Sequence, residues 1–148
     1  MRAGQSISIL VADDDPDDRL LIADAFSEAS LANELRFVHD GEELLSYLQQ
    51  RAPFVGAPRP GMVLLDLNMP RKDGREALAE IKADSDLRNI PVVVLTTSRA
   101  EEDVLRAYDL GVAGFVVKPV SYVALVDLVK GLANYWFEIV ELPPMPES

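Results

Sequence analysis

The stretch Met62–Pro70, with the sequence MVLLDLNMP, decides the fold of this chain. Four apolar residues lead into one carboxylate, Asp66, and Pro70 then closes a turn. A continuous apolar run of this length is typical of a strand that is buried on both faces, as in parallel sheets. The pattern therefore predicts a central strand that delivers an acidic side chain to the edge of a sheet.

The composition is that of one globular domain with a real core. The chain has 148 residues, of which 49% are hydrophobic and 26% are charged. Lys and Arg number 14 against 25 Asp and Glu, so the formal net charge is −11. Because nucleic-acid binding needs clustered cations, we expect no nucleic-acid partner. The sequence contains no Cys, which excludes disulfides, thiolate metal ligands and a cysteine nucleophile.

No segment of the sequence is typical of a membrane protein. The first apolar run, residues 7–12, is too short for the core of a signal peptide, and no later run approaches the length of a membrane span. We therefore expect a soluble, cytoplasmic protein with no membrane partner.

Apolar runs alternate with segments of helical periodicity along the whole chain. Because the strands are continuously apolar, they predict a parallel α/β sheet with helices on both faces. An Asp followed by Pro16 favours a helix start, and Ser121 is a suitable cap for the last helix. Strands are predicted at residues 7–12, 35–38, 62–66, 91–96 and 114–118, and helices from Pro16, over 42–50, 75–83 and 100–110, and after Ser121.

Polar side chains fall where the predicted strands end. Asp13 and Asp14 end the first strand, Asp66 the third, Thr96 the fourth and Lys118 the fifth. In an open parallel sheet, ligands bind outside the carboxyl ends of the strands. We therefore expect these five side chains to converge on one small pocket.

The residue types indicate what this pocket can do. Carboxylates held close together repel one another, and an all-oxygen site of this kind suits Mg²⁺ better than zinc. Asp66 can then act as a carboxylate nucleophile and carry an aspartyl phosphate. Lys118 offers a point charge to phosphoryl oxygens, and the Thr96 hydroxyl can donate a hydrogen bond to one of them.

Each of these residues alone also has an ordinary structural explanation. The acidic run Asp13–Asp18 suits a helix cap and a solvated first turn, and a single Asp such as Asp66 commonly forms a turn. Thr96 has good strand propensity, and Lys118 can simply end a strand. His39, the only histidine, suits an exposed turn. The functional interpretation depends on their common position at the same end of successive strands.

Four motifs together resemble the receiver domains of two-component response regulators. They are VADDDPDD (11–18), VLLDLNMPRKDG (63–74), VVVLTTS (92–98) and GFVVKP (114–119). The resemblance runs from about residue 7 to residue 140 and implies a flavodoxin-like, doubly wound sheet with strand order 2-1-3-4-5. It divides the chain into an N-terminal tail (1–6), a receiver domain (7–141) and a Pro-rich C-terminal tail (142–148).

The resemblance implies a phosphoacceptor and its metal site. Asp66 is then the phosphoacceptor. Asp14 and Asp66 bind Mg²⁺ directly, together with the backbone carbonyl of Asn68. Asp13 is expected to assist through water.

The resemblance also implies a switch. Lys118 contacts the phosphoryl group, and the Lys118–Pro119 bond is expected to be cis. Thr96 and Phe115 resemble the switch pair, in which a hydroxyl moves to the phosphoryl group and an aromatic ring follows it inward. The expected protein is therefore a phosphorylation switch rather than a conventional enzyme, and its phosphodonor is a sensor histidine kinase.

Three further stretches resemble a narrower group, the single-domain regulators paired with bacterial phytochrome histidine kinases. They are the loop 51–61, the run 96–103 and the ending 135–143. Two residues depart from the pattern of this group. Asp15 stands where an Asn is common and adds negative charge beside the metal, and Phe115 lacks the hydroxyl of the commoner Tyr.

The last helix is apolar on more than the one face that packing on a sheet requires. We expect a homodimer or partner interface on the face made by the helix of 100–110, the strand of 114–118 and the last helix. The alternative is that the C-terminal tail folds back over the second stripe. One stripe comprises Val123, Val126, Val129, Ala133, Phe137 and Val140, and the other Leu125, Leu128, Leu132, Trp136 and Ile139.

Two other functions fit the same fold. A constitutive receiver-like interaction module would not use phosphorylation, but its expected mark, loss of an acidic, Thr or Lys position, is absent from the sequence. A Mg²⁺-dependent phosphohydrolase with an aspartyl nucleophile would resemble a pattern with a second Asp two residues after the first. Here that position is Asn68.

Overall fold

The computed structural model describes residues 8–29, 34–96, 109–119 and 121–132. The predicted helix at 100–110 lies outside these residues except for its last two positions. Within the described part of the chain, no helix is long and apolar enough to cross a membrane. The strands are β1 (Ser8–Ala12), β2 (Glu34–Val38), β3 (Met62–Leu65), β4 (Val92–Thr96) and β5 (Gly114–Val117), and the helices are α1 (Pro16–Glu28), α2 (Gly41–Leu48), α3 (Gly74–Ala83) and α4 (Tyr122–Leu132).

The five strands form one parallel sheet in the order β2-β1-β3-β4-β5. All four residues of β3 are buried, because this strand lies in the middle of the sheet and has helices over both faces. The predicted fold class and strand order are therefore confirmed.

Two apolar cores lie on opposite faces of the sheet. Successive strand residues point to opposite faces, so Leu10 and Val63 pack with α2 and α3, whereas Val11 and Leu64 pack with α1 and α4. The two cores hold the carboxyl ends of β1 and β3 in a fixed position.

Side-chain caps fix the point at which each described helix begins. Asp15 caps α1 by accepting a hydrogen bond from the Asp17 N–H at 2.8 Å, with Pro16 as the first helical residue, as predicted. Ser121 Oγ accepts from the Ala124 N–H at 3.1 Å, which confirms the predicted cap of the last helix. The cap of α1 lies only three residues after β1, so the first turn of this helix stands close to the edge of the sheet.

The buried face of α4 differs from the predicted stripes. Leu125, Val126 and Val129 are buried, whereas Val123 is 70% exposed. Both predicted stripes therefore contribute to the buried face, because α4 packs on the sheet and on α1 together.

The loop 51–61 has no regular secondary structure, as its composition predicts. The Phe54 ring lies 5.3 Å from the Tyr47 ring, which attaches the loop to α2. Among the described residues the one cis peptide bond is Ala52–Pro53. The expectation of a cis bond at Lys118–Pro119 is therefore wrong.

Candidate functional site

The sheet brings the first acidic residues together. Asp13 and Asp14 follow β1, and Asp66 follows β3. The Asp13 N–H donates to the Val38 carbonyl at 3.1 Å, and the Asp66 N–H donates to the Ala12 carbonyl at 3.0 Å. These bonds continue the strand pairing one residue beyond each strand, so Asp13 and Asp66 lie side by side at the carboxyl edge of the sheet.

Local turns orient the two buried carboxylates. Asp13 Oδ1 accepts a hydrogen bond from the Asp15 N–H at 3.0 Å, and Asp66 Oδ1 accepts from the Asn68 N–H at 3.1 Å. Each is a bond from an Asp side chain to the backbone two residues later, which is a common turn of short acidic side chains. The Oδ2 atom of each carboxylate is thereby directed to Lys118.

Asp13, Asp14 and Asp66 form a group that we call the acidic triad. Each offers one carboxylate oxygen, and these oxygens lie within 4.8 Å of one another. Asp13 and Asp66 are buried and Asp14 is exposed, so one side of the triad is open to water. An all-oxygen donor set with room for water fits Mg²⁺, which usually keeps part of its hydration shell.

The Lys118 ammonium lies among three carboxylates. Its Nζ donates to Asp13 Oδ2 at 2.7 Å, to Asp18 Oδ2 at 2.7 Å and to Asp66 Oδ2 at 3.1 Å. An ammonium has three N–H groups, so each has a carboxylate partner. The Lys118 side chain is 13% exposed, so water and dissolved salt screen these ion pairs only weakly.

Burial and ion pairing act against each other at this site. Burial alone lowers the pKa of the Lys118 ammonium, but its hydrogen bonds to Asp13 and Asp18 outweigh that effect, so the net pKa is raised. Burial raises the pKa of the Asp13 carboxyl, although its hydrogen bond to Lys118 opposes the change. The site therefore keeps a charged lysine at neutral pH and holds an acid that a further cation would stabilise in its ionised form.

Two glycines bring the loop after β3 close to the site. The Gly74 N–H donates to the Leu67 carbonyl at 2.9 Å, and a Cβ on Gly74 would lie 2.6 Å from Leu67 Cα and would overlap the Asp66 carbonyl oxygen. The Gly41 N–H donates to the Lys72 carbonyl at 2.8 Å, and a Cβ there would overlap the same carbonyl. The absence of a side chain at both positions lets the backbone after Asp66 lie against α2 and α3.

The structure brings together four of the five predicted pocket residues: Asp13, Asp14, Asp66 and Lys118. Thr96 ends β4, as predicted, and pairs with Val117, but its side chain lies outside the described part of the structure. The function of Thr96 in the pocket therefore stays a prediction.

Phe115, the other predicted switch residue, lies in β5. It is partly buried and packs against the core on the α2 and α3 side of the sheet. The movement of this ring inward stays a prediction.

One site residue, Asp18, was not predicted from the sequence. The acidic run was interpreted as a cap and a solvated first turn, whereas the structure places Asp18 against Lys118. A signal for this contact was present in the sequence. Once Asp15 is the cap, Asp18 is the third residue of α1, in the turn nearest to the carboxyl edge of the sheet.

An acidic triad and a lysine at the carboxyl edge of a parallel sheet with strand order 2-1-3-4-5 define a receiver-type domain. The sequence profile of the response regulator receiver domain matches residues 9–130. The chain belongs to the response regulator receiver domain family. Receiver domains bind Mg²⁺ through this group of Asp residues, so the predicted cofactor agrees with the acidic triad. Members of the family are signalling proteins rather than conventional enzymes.

Known relatives extend the likeness to regulators linked to phytochromes. The chain is 42% identical to the response regulator Rcp1 of Synechocystis sp. over 135 residues, which cover 91% of this chain and 92% of Rcp1. It is similar to the crystal structure of the phosphorylated cyanobacterial phytochrome response regulator RcpA, with a TM-score of 0.88 and 41% identity over 95% of this chain and 100% of that one. The Mn²⁺-bound form of Rcp1 has a TM-score of 0.86 and 41% identity over 93% of this chain and 99% of that one. The predicted resemblance to phytochrome-linked regulators is thus confirmed.

Proposed function

We propose that the protein is a phosphorylation switch in which Asp66 accepts a phosphoryl group from a sensor histidine kinase in a Mg²⁺-dependent reaction. One observation carries this proposal: Asp66 is a nearly buried carboxylate that lies both in the acidic triad and within hydrogen-bond distance of Lys118. Metal and ammonium can therefore act on the same incoming group. The similarity to RcpA, a cyanobacterial phytochrome response regulator, supports a phytochrome-type kinase as the donor.

The reaction we propose breaks the phosphorus–nitrogen bond of a kinase phosphohistidine and forms a phosphorus–oxygen bond to Asp66. Asp14, Asp66 and the Asn68 carbonyl would hold the metal, and Asp13 would assist through water. When bound, Mg²⁺ supplies positive charge to the phosphoryl oxygens. Lys118 then exchanges a carboxylate partner for a phosphoryl oxygen and stabilises the product.

The signal we propose travels from the phosphoryl group to the surface. Thr96 and Phe115 form the switch pair, and their movement changes the face made by residues 100–110, β5 and α4. The net charge of −11 supports output through protein contact rather than nucleic acid. The domain boundaries we propose are 7–141 for the receiver domain, with tails at 1–6 and 142–148. The matched residues 9–130 support these boundaries.

Replacement of Asp66 tests the proposed function. Wild-type protein incubated with acetyl phosphate and Mg²⁺ should gain one phosphoryl adduct in intact mass, whereas Asp66→Asn should gain none, because an amide is a poor nucleophile. A chelator should prevent the wild-type adduct. The matched control is Asp86→Asn, which makes the same change at an exposed position and should react like the wild type.

Two outcomes contradict this function. Equal rates for Asp66→Asn and the wild type would place the phosphoacceptor elsewhere. No wild-type adduct under any condition would favour the constitutive interaction module.

We also propose that two copies associate through the face of residues 100–110, β5 and α4. Support comes from Val123, which is 70% exposed on α4, and from the position of β5 at the edge of the sheet. Trp136 lies outside the described residues, but the sequence places it on the second apolar stripe predicted for the last helix. Trp136→Ala should lower the apparent mass in sedimentation velocity, because interface aromatics commonly contribute most to binding. Leu20→Ala, which removes an exposed apolar side chain from α1, should leave the mass unchanged. A monomer in both the wild type and Trp136→Ala would contradict the dimer.

A further inference from the structure

The proposed function above assigns no role to the ion pair between Lys118 and Asp18. Asp18 Oδ2 accepts from Lys118 Nζ at 2.7 Å, as close as the partner oxygen on Asp13. Asp18 is not a member of the acidic triad. It therefore contacts the ammonium without contributing to the group that would hold the metal.

The start of α1 fixes the position of Asp18. The Asp15 cap and Pro16 set the first turn of the helix. The next residue, Arg19, donates from Nη1 to the Asp13 carbonyl at 2.8 Å and so ties this turn to the end of β1. The Asp18 side chain is 32% exposed, and that of Lys118 is 13% exposed. Asp18 thus lies on the solvent side of the ammonium, on a part of the backbone that is held at both ends.

Metal and phosphoryl group would compete for the other two partners of Lys118. Asp13 and Asp66 belong to the acidic triad, so a divalent cation would attract both carboxylates, Asp66 directly and Asp13 through water. Once Asp66 carries a phosphoryl group, its side chain is an acyl phosphate and no longer an ionised carboxylate. Of the three carboxylates that contact Lys118, Asp18 is then the one that neither belongs to the acidic triad nor carries the phosphoryl group. A lysine side chain has a flexible stem of four carbons and considerable rotamer freedom. A partner in a fixed position therefore restricts where the ammonium lies.

We propose that Asp18 is the positioning residue for Lys118 in phosphoryl transfer. It holds the ammonium beside Asp66 when the metal and the phosphoryl group occupy the site, so that the remaining N–H groups of Lys118 face the phosphoryl oxygens. This inference rests on the proposed phosphorylation of Asp66. It assigns to α1 an indirect part in the chemistry of the site, because one side chain in its first turn acts through Lys118.

The neighbouring acid provides a matched control for the charge of this turn. Asp17 is exposed in the same turn of α1, and within the described residues its side chain has no ion pair or hydrogen bond. A general effect of negative charge at the start of α1 would be lost equally in Asp17→Asn and Asp18→Asn. A positioning effect would be lost only in Asp18→Asn.

The kinetic test measures the initial rate of adduct formation from acetyl phosphate at saturating Mg²⁺. We expect Asp18→Asn to slow the reaction about tenfold, because a displaced catalytic cation stabilises the transition state poorly. Asp17→Asn should stay within about twofold of the wild type, and the Mg²⁺ concentration for half-maximal rate should be unchanged in both. Asp18→Glu, which keeps the charge, should recover part of the rate.

A double-mutant cycle shows whether Asp18 acts through Lys118. In a Lys118→Met background, Asp18→Asn should cause no further loss of rate, because the group it positions is absent. Equal losses in both backgrounds, or equal rates for Asp17→Asn and Asp18→Asn, would overturn the proposal.

A second measurement does not depend on phosphorylation. In the metal-free wild type, the ammonium protons of Lys118 should give an observable ¹H–¹⁵N signal, because all three have carboxylate partners and exchange slowly with water. The signal should broaden in Asp18→Asn and persist in Asp17→Asn. Persistence in Asp18→Asn would refute the role of Asp18, whereas a wild type that gains no adduct would refute the proposed function.

Discussion

Lys118→Met is expected to bind Mg²⁺ more tightly than the wild type, by about tenfold, although it should accept a phosphoryl group far more slowly. The Lys118 ammonium lies 2.7 Å from Asp13 Oδ2 and 3.1 Å from Asp66 Oδ2, and both residues belong to the acidic triad. Lysine and metal would therefore compete for the same two carboxylates. Without the lysine, the carboxylates repel one another more strongly, and a bound cation therefore relieves more repulsion.

The same substitution should lower the free energy of unfolding in the presence of a chelator. Removal of one partner leaves buried charges uncompensated, and the loss is about 3 kcal/mol for a pair as buried as Lys118 with Asp13. Mg²⁺ should restore much of this loss, since it binds the folded site and not the unfolded chain. Lys118→Met should thus gain more stability from Mg²⁺ than the wild type does.

Urea unfolding with chelator and with Mg²⁺, together with titration calorimetry, measures both effects. Lys82→Met is the matched control: Lys82 is a half-buried lysine of α3 whose Nζ donates to the Arg88 carbonyl at 3.0 Å, outside the site. The Mg²⁺ affinity of Lys82→Met should equal that of the wild type. Weaker Mg²⁺ binding by Lys118→Met would show that the lysine supports the metal site instead of competing with it.

The sequence predicted the main residues of the site because the parallel sheet fixes their positions. Once the apolar runs are interpreted as parallel strands, the residues that follow them lie at one edge of the sheet. Asp13, Asp66 and Lys118 could therefore be placed in one pocket from their position relative to the strands alone. No information on side-chain conformation was needed for that step.

Contacts that depend on side-chain direction or helix packing could not be predicted in this way. Asp18 was assigned to a solvated turn, because its contact with Lys118 depends on where α1 lies over the sheet. The buried face of α4 includes Leu125 and excludes Val123, because α1 and the sheet both contact this helix. Helical periodicity shows that an apolar face exists, but tertiary packing decides which residues it buries.

The role of Gly74 was also missed, since a glycine in a loop after a strand suggests only a turn. In the structure, its Cα lies against the backbone that carries Asp66. Gly131, in contrast, is an exposed residue near the end of α4, and among the described residues a Cβ there would have no neighbour within 4 Å. The two glycines therefore differ in what an added methyl group would meet.

Gly74→Ala is expected to lower the free energy of unfolding by about 3 kcal/mol and to slow phosphorylation strongly. The new Cβ would overlap the Asp66 carbonyl oxygen and lie 2.6 Å from Leu67 Cα. Both neighbours are backbone atoms, so relief requires β3 or α3 to move. A shift of about 1 Å in a reacting group can reduce a rate about a hundredfold, and the displaced residue here is the proposed nucleophile.

Gly131→Ala introduces the same methyl group at a position that no other described residue approaches, and it should raise the free energy of unfolding by about 0.5–1 kcal/mol because Ala is the better helix former. Urea unfolding and the initial rate of adduct formation compare the two variants. If both variants unfolded alike, the close approach of Gly74 to Asp66 would not be a determinant of the fold. If Gly74→Ala lost stability but reacted at the wild-type rate, the loop would support the fold without positioning Asp66. Loss of both together is the expected result, because one backbone contact holds α3 against β3 and fixes the carboxylate at the end of that strand.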